Sequence, residues 1–150
     1  MGVLNVLRIA GSALTAQRLR MDVTASNIAN AEATATPEGG PYRAERVVFA
    51  PRGRLSFANT FRLLRRESDP APVGEGVQVQ AIVASPQPPR QVYDPTHPDA
   101  DADGYVTYPN VDLVTEMTDL LSASRAYEAN LTVINVAKNM AQRALDIGRV

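Results

Sequence analysis

The sequence predicts a mainly α fold with a small β-containing middle, in which long N- and C-terminal helices pack as a coiled-coil-like pair and short strands alternate with Pro-rich loops. Two observations carry this. All eleven prolines lie between Pro37 and Pro109, so the first 36 and the last 41 residues contain none. Proline removes a helix donor and clashes with the preceding turn, so the two ends can run as unbroken helices and the middle cannot. Apolar residues in both ends also recur at alternating spacings of three and four, the period of a helix with one packed face. The chain thus divides into an N-terminal helix of a core domain (1–36), an outer β/loop segment (37–109) and a C-terminal helix of the same core domain (110–150).

In the first end the packed face is Leu4, Leu7, Gly11, Leu14, Arg18, Met21, Ala25 and Ile28. Five are large and apolar, two are small, and Arg18 is the exception. The helix is expected from near Asn5 to about Ala33, where Thr34, Thr36, Pro37 and the glycines at 39 and 40 stop it. Strands follow at Tyr42–Phe49, Val77–Val83, Arg90–Tyr93 and Tyr105–Tyr108, with Asp69–Pro72 and Ser85–Pro89 as extended connectors. The second helix carries Leu113, Met117, Leu120, Ser124, Tyr127, Leu131, Ile134, Lys138, Ala141 and Leu145 at the same spacing. Asn110 or Asp112 can cap its start, Asp112, Glu116 and Asp119 suit the positive end of its dipole, and Arg143 with Gly148 suits its stop.

Two such ends can form a hairpin that buries its own seams, or pack among several chains. Gly11, Arg18, Ser124 and Lys138 occupy seam positions that a self-contained core would fill with leucine, which favours several chains. On the residues alone, one form of that reading is a soluble coiled-coil binding adaptor that closes into a discrete oligomer. The other is a subunit that repeats head to tail into an open array.

Composition removes several function classes. A net charge of −1 provides no global attraction for nucleic acid or for an anionic membrane, and without cysteine there is no thiol chemistry. No apolar run approaches the ~20 residues of a membrane span, and the N-terminus lacks the form of a cleaved signal peptide. A local charge asymmetry remains. Seven arginines lie between Arg43 and Arg66 with Glu45 as the only acid, and seven acids lie between Asp94 and Asp119 with no Lys or Arg. No nucleic-acid motif accompanies the basic run, so it reads as a solvated or subunit-facing patch.

Asp99, Asp101, Asp103 and Gly104 match the opening of an EF-hand loop, yet its twelfth position is Asn110, preceded by Pro109, where a bidentate Glu is required. The stretch is expected to be an Asp-rich turn whose carboxylates accept nearby backbone N–H groups. His97 is the only histidine and no nucleophile motif accompanies it, so no catalytic residue, cofactor site or metal site is assigned and the chain is not expected to be an enzyme.

The run from Ser26 to Ala31, Ser-Asn-Ile-Ala-Asn-Ala, resembles the N-terminal signature of the bacterial flagellar rod and hook axial proteins, and the run from Ser124 to Asn130 resembles its C-terminal counterpart. Asn27, Asn30, Arg125, Tyr127, Glu128 and Asn130 carry the match. Tyr42-Arg43 leading into Val47–Phe49, the stretch from His97 to Asp101, and Gly104–Val106 followed by Tyr108–Asp112 are similar to the proximal-rod members of that family. The resemblance implies a structural subunit exported unfolded through the flagellar type III apparatus without a cleaved signal, and assembled into the periplasmic rod of the basal body. That rod is the helical drive shaft for motility. Its implied partners are other rod subunits and the membrane-ring/export-gate base, with no nucleic acid, no small-molecule substrate and no membrane insertion. The two seams listed above, from Leu4 to Ile28 and from Leu113 to Leu145, are then its expected assembly surface.

Overall fold

The computed structural model describes residues 2–37, 39–52 and 74–147. In chain order the elements are α1 (Val3–Ala29), β1 (Glu45–Pro51), β2 (Val77–Ala84), β3 (Arg90–Tyr93), β4 (Tyr105–Tyr108) and α2 (Leu113–Ile147). Two long terminal helices thus bracket a middle of short antiparallel strands, as expected from where the prolines fall. The connector expected at Asp69–Pro72 and the stop at Gly148 lie outside the described residues.

Helix α1 ends four residues before the expected Ala33. Asn30 leaves helical geometry (φ −102°, ψ 14°). Its backbone N–H donates to Ser26 O at 3.0 Å and its side-chain amide donates to the same oxygen at 2.9 Å. The chain then continues to Ala33 through turns, with Ala33 N–H on Asn30 O. At the start of α2, Asp112 supplies the N-cap. Its two carboxylate oxygens accept the Val114 N–H (3.0 Å), a backbone donor with no carbonyl partner in the first turn, and the Thr115 hydroxyl (2.7 Å).

The helices run antiparallel. Arg20 meets Asp119 and Asn27 meets Glu116, so advancing along α1 means retreating along α2. In that register Val3 comes level with the stretch near Ala137, and the last two turns or so of α2, ~10–15 Å of helix, pass beyond the start of α1. Among the described elements α2 packs only on α1, and what it buries there is small: Ala123 has no exposed surface and Ala137 very little. Alanines at such positions let two backbones approach closely, each methyl contributing about 0.8 kcal/mol when removed from water. Most of the large apolar side chains of α2 remain exposed, and Leu120, Tyr127 and Ile134 are half-buried.

Strands β1 and β2 form an antiparallel pair with a bulge between Val48 and Phe49, and the pair lies against α1. Its entry is fixed at Gly76. There φ is +111° and a Cβ would collide with Ser12 of α1, whose Oγ accepts the Val77 N–H at 3.1 Å and donates to Ile9 O at 2.7 Å. Strand β1 begins at Glu45 and not at the expected Tyr42, because Tyr42 donates its N–H to Ala33 O and its hydroxyl to Asn27. Strands β3 and β4 form a second antiparallel pair, with Val106 fully buried and Tyr93 edge-on to Tyr105 at 5.3 Å between centroids.

Candidate functional site

Among the described residues, the first signature asparagine fills every hydrogen-bonding position of its side chain. Asn27 lies on α1 and is 1% exposed. Its Oδ1 accepts the Glu45 N–H (2.9 Å) and the Tyr42 hydroxyl (3.0 Å), and its Nδ2 donates to Glu45 O (2.8 Å) and to Glu116 Oε2 (3.1 Å). A carboxamide has two acceptor and two donor positions, and all four are filled. Toward Glu45 the side chain behaves as a strand would, offering a donor and an acceptor to one residue of β1. Toward Glu116 it satisfies a carboxylate that is 7% exposed and sits on the buried face of α2. Three elements therefore meet on one amide.

The other signature residues do different work. Asn30 closes α1, as described above. Asn130 donates to Ala126 O (2.7 Å) within α2 and is half-buried, as is Tyr127. Arg125 and Glu128 are exposed. The signature thus joins one node with residues turned outward, and only Asn27 reaches other elements among the described contacts.

The expected seams divide in the same way. Leu7, Gly11, Leu14, Met21 and Ile28 on α1, and Leu120, Ser124, Tyr127, Ile134 and Ala141 on α2, are half-buried. Leu4, Arg18 and Ala25, with Leu113, Met117, Leu131, Lys138 and Leu145, are exposed. The face that α2 buries runs instead through Glu116, Ala123 and Ala137, while Val114, Leu121, Val136, Met140 and Ile147 add to an outward surface rich in large apolar groups. Periodicity located the helices, whereas the fully buried apolar contacts that α2 makes inside the hairpin come from alanines, which that pattern does not weigh.

The Asp-rich stretch is a turn. Asp101 Oδ1 accepts the N–H groups of Asp103 (3.0 Å) and Tyr105 (2.8 Å), Asp94 accepts the Thr96 N–H and hydroxyl, and Asp99 accepts the Thr34 hydroxyl (2.6 Å). Hydrogen bonds from Thr96, its hydroxyl foremost, hold the Asp94 carboxyl below the usual carboxylate range. His97 Nδ1 accepts the Asp99 N–H, and its ring stands edge-on to Tyr108. Among the described residues no group of three His, Cys, Asp or Glu side chains is placed to hold a metal ion, and no helix is long and apolar enough to cross a membrane. Of the basic run, Arg43, Arg46 and Arg52 are exposed, and Arg54, Arg62, Arg65 and Arg66 lie outside the described residues. Two members of the acidic run, Glu116 and Asp119, face α1 in the same subunit. A cleft of about 410 Å³ between α1, β1 and α2 is lined by charges of both signs, Arg20, Arg46, Glu45, Glu116 and Asp119.

Residues 7–35 match the family described as flagella basal body rod protein, and residues 102–147 match that described as flagellar basal body rod FlgEFG protein C-terminal. The matched segments take in most of α1 and, with β4, all of the described α2, so the terminal hairpin is the part of the fold that these rod-type families describe. Over nearly its whole length the chain is also 47% identical to the flagellar basal-body rod protein FlgC of Borreliella burgdorferi (98% of each chain). It is 43% identical to that of Salmonella typhimurium (99% of this chain, 100% of the relative) and 45% identical to that of Bacillus subtilis (95% and 96%). The chain belongs to the FlgC family of flagellar basal-body rod proteins, and is a structural subunit of that rod.

Proposed function

We propose that this subunit joins other axial proteins in a helical array through the apolar surface its hairpin leaves uncovered, and that the array transmits rotation as the proximal part of the rod. The observation that carries this is the division of labour in α2. Alanines close the hairpin, while Leu113, Met117, Leu121, Leu131, Val136 and Met140 remain at the surface of a single chain. An apolar surface of that extent is what a protein–protein contact uses. In this reading residues 1–36 and 110–150 form the core domain lining the tube, and 37–109 the outer segment that fixes spacing between neighbours.

The same reading places the protein in the periplasmic rod, delivered unfolded through the type III export apparatus without cleavage of a signal. It gives the protein the membrane-ring/export-gate base as its neighbour at the bottom. It assigns no catalytic step. The turn bonds of Asp94, Asp101 and His97 support that assignment, because each of these side chains is engaged by nearby backbone or by Thr96.

The test is complementation. Cells deleted for their own proximal-rod gene and supplied with this chain should swim and yield purified basal bodies that contain it. Basal bodies without the chain, or a purified protein that stops at one small closed oligomer as concentration rises, would overturn the reading in favour of a soluble adaptor.

A further inference from the structure

We propose that Asn27 makes closure of the helix hairpin conditional on docking of β1, so that the signature asparagine is a coupling residue between the outer strands and the helical core.

Glu116 stands on the buried face of α2, and its side chain has one hydrogen-bond partner among the described residues, Asn27 Nδ2. Glu116 borders the charged cleft, and the Asn27 N–H is the donor that reaches it from the buried side, so α2 closes on α1 at lower cost when that N–H is aimed at it. A lone asparagine on a helix surface can turn about its side-chain bonds and flip its amide. Here the orientation is set by Glu45, whose N–H and C=O grip the two ends of the carboxamide, and by the Tyr42 hydroxyl, which marks the oxygen end. The order of dependence is therefore β1 to Asn27, Asn27 to Glu116, and Glu116 to α2. Without β1, the amide has two unfilled positions and only the Tyr42 hydroxyl to orient it, and the donor to the carboxylate is held less firmly. The exposed Glu45 side chain takes no part, since its backbone supplies both bonds.

Replacement of the amide by an acid separates this from a general packing role. Asn27→Asp sets two carboxylates against each other and should abolish swimming in complemented cells. Glu116→Gln, which keeps an acceptor for Asn27, should swim. The combined Asn27→Asp/Glu116→Gln chain should recover in part, because the glutamine amide can donate to the new carboxylate while Glu45 O still lacks its donor. The second arm acts from β1. Glu45→Pro removes the one N–H that Asn27 accepts there, at a strand's first position where proline is tolerated, and Glu45→Gln is its control. Loss of swimming in Glu45→Pro, restored by Glu116→Gln, is the expected result, since a neutral residue on α2 has less need of an oriented donor. Normal swimming by Asn27→Asp or Glu45→Pro, or failure of Glu116→Gln to restore either, overturns the coupling. The readout rests on the rod reading, and the two fail differently. If the unmodified chain does not complement, the rod reading is at fault. If it does and the restorations are absent, only the coupling falls.

Discussion

Arg20 and Asp119 join α1 to α2 through a 2.9 Å contact between Nη2 and Oδ1, the one ion pair among the described residues, and it lies at the hairpin surface with the two side chains 30% and 50% exposed. About two turns further along α1, Asn27 makes its contact to Glu116 inside. These two links between the same helices should differ in magnitude. Asp119→Asn should lower stability by about 0–1 kcal/mol, and the difference should vanish in about 0.5 M salt. Asn27→Ala leaves a buried carboxylate and a strand end unpaired and should cost at least about 2 kcal/mol regardless of salt. Urea midpoints of the two variants at low and high salt make the comparison. Equal losses would mean that the buried amide has no special weight.

Gly76 and Ser12 form a close approach that tolerates neither a side chain nor a new conformation. Gly76→Ala should destabilise by about 2 kcal/mol or more, from a positive φ unsuited to alanine together with displacement of the Ser12 hydroxyl from Val77 N–H. Ser12→Ala alone should cost about 1 kcal/mol. In the Ser12→Ala background, Gly76→Ala should cost less than it does alone, because one of its two penalties has already been incurred. Strict additivity in a double-mutant cycle would show that the two residues do not press on each other.

The N-cap of α2 should titrate. Hydrogen bonds, first from the Thr115 hydroxyl and then from Val114 N–H, hold the Asp112 carboxyl below its ordinary value of 3.8. A carboxyl with a lower value in the folded than in the unfolded chain binds fewer protons when folded. Its contribution is therefore complete above 3.8 and is lost as the pH falls through that value toward the lowered one. Helicity followed by circular dichroism should fall across this window. Asp112→Asn, which still caps, should flatten the part of the slope that belongs to α2. An acid limb of unchanged size in the asparagine variant would assign the loss to other groups, of which Asp94 is one.

Much of this architecture was legible in the sequence because its signals are local. Proline confinement divided the chain, and three of the four strands fell within a residue of their expected bounds. Two of the missed bounds, the end of α1 and the start of β1, have one cause. Tyr42 looks like the start of a strand and Ala33 like part of a helix, yet these two residues bond to each other across the turn (3.0 Å), which moves the strand start to Glu45. The node itself was half legible. Asn27 stood out within a motif, whereas Glu45 and Glu116, 18 and 89 positions away, look like any solvated acid until the fold brings them together. The contacts that close the hairpin were hidden for a related reason. A search for large apolar residues at spacings of three and four finds positions that are half-buried or exposed in the single chain, while Ala123 and Ala137 leave no mark by size.

Two substitutions on α2 should separate folding from assembly. Ala123 has no exposed surface, so Ala123→Leu forces the helices apart and should cost about 1–3 kcal/mol in the isolated chain. Met117 is 57% exposed, so Met117→Glu should leave the urea midpoint of the chain within about 0.5 kcal/mol of its original stability. It should nevertheless keep the protein out of purified basal bodies. A Met117→Glu chain incorporated at the normal level would place the contact surface on another face.

The two helices of the hairpin are unequal, 27 residues against 35, and the surplus lies at the C-terminal end of α2. Leu145 and Ile147 there are 71% and 78% exposed, and Leu4 on the neighbouring start of α1 is 82% exposed. Mass action follows from that inequality. A chain whose longest helix outruns its only internal companion has a folded state that other molecules can stabilise by covering the remainder, so its population rises with the concentration of whatever covers it. Where neighbouring subunits cover that remainder, the unfolding midpoint of this protein should rise with their concentration.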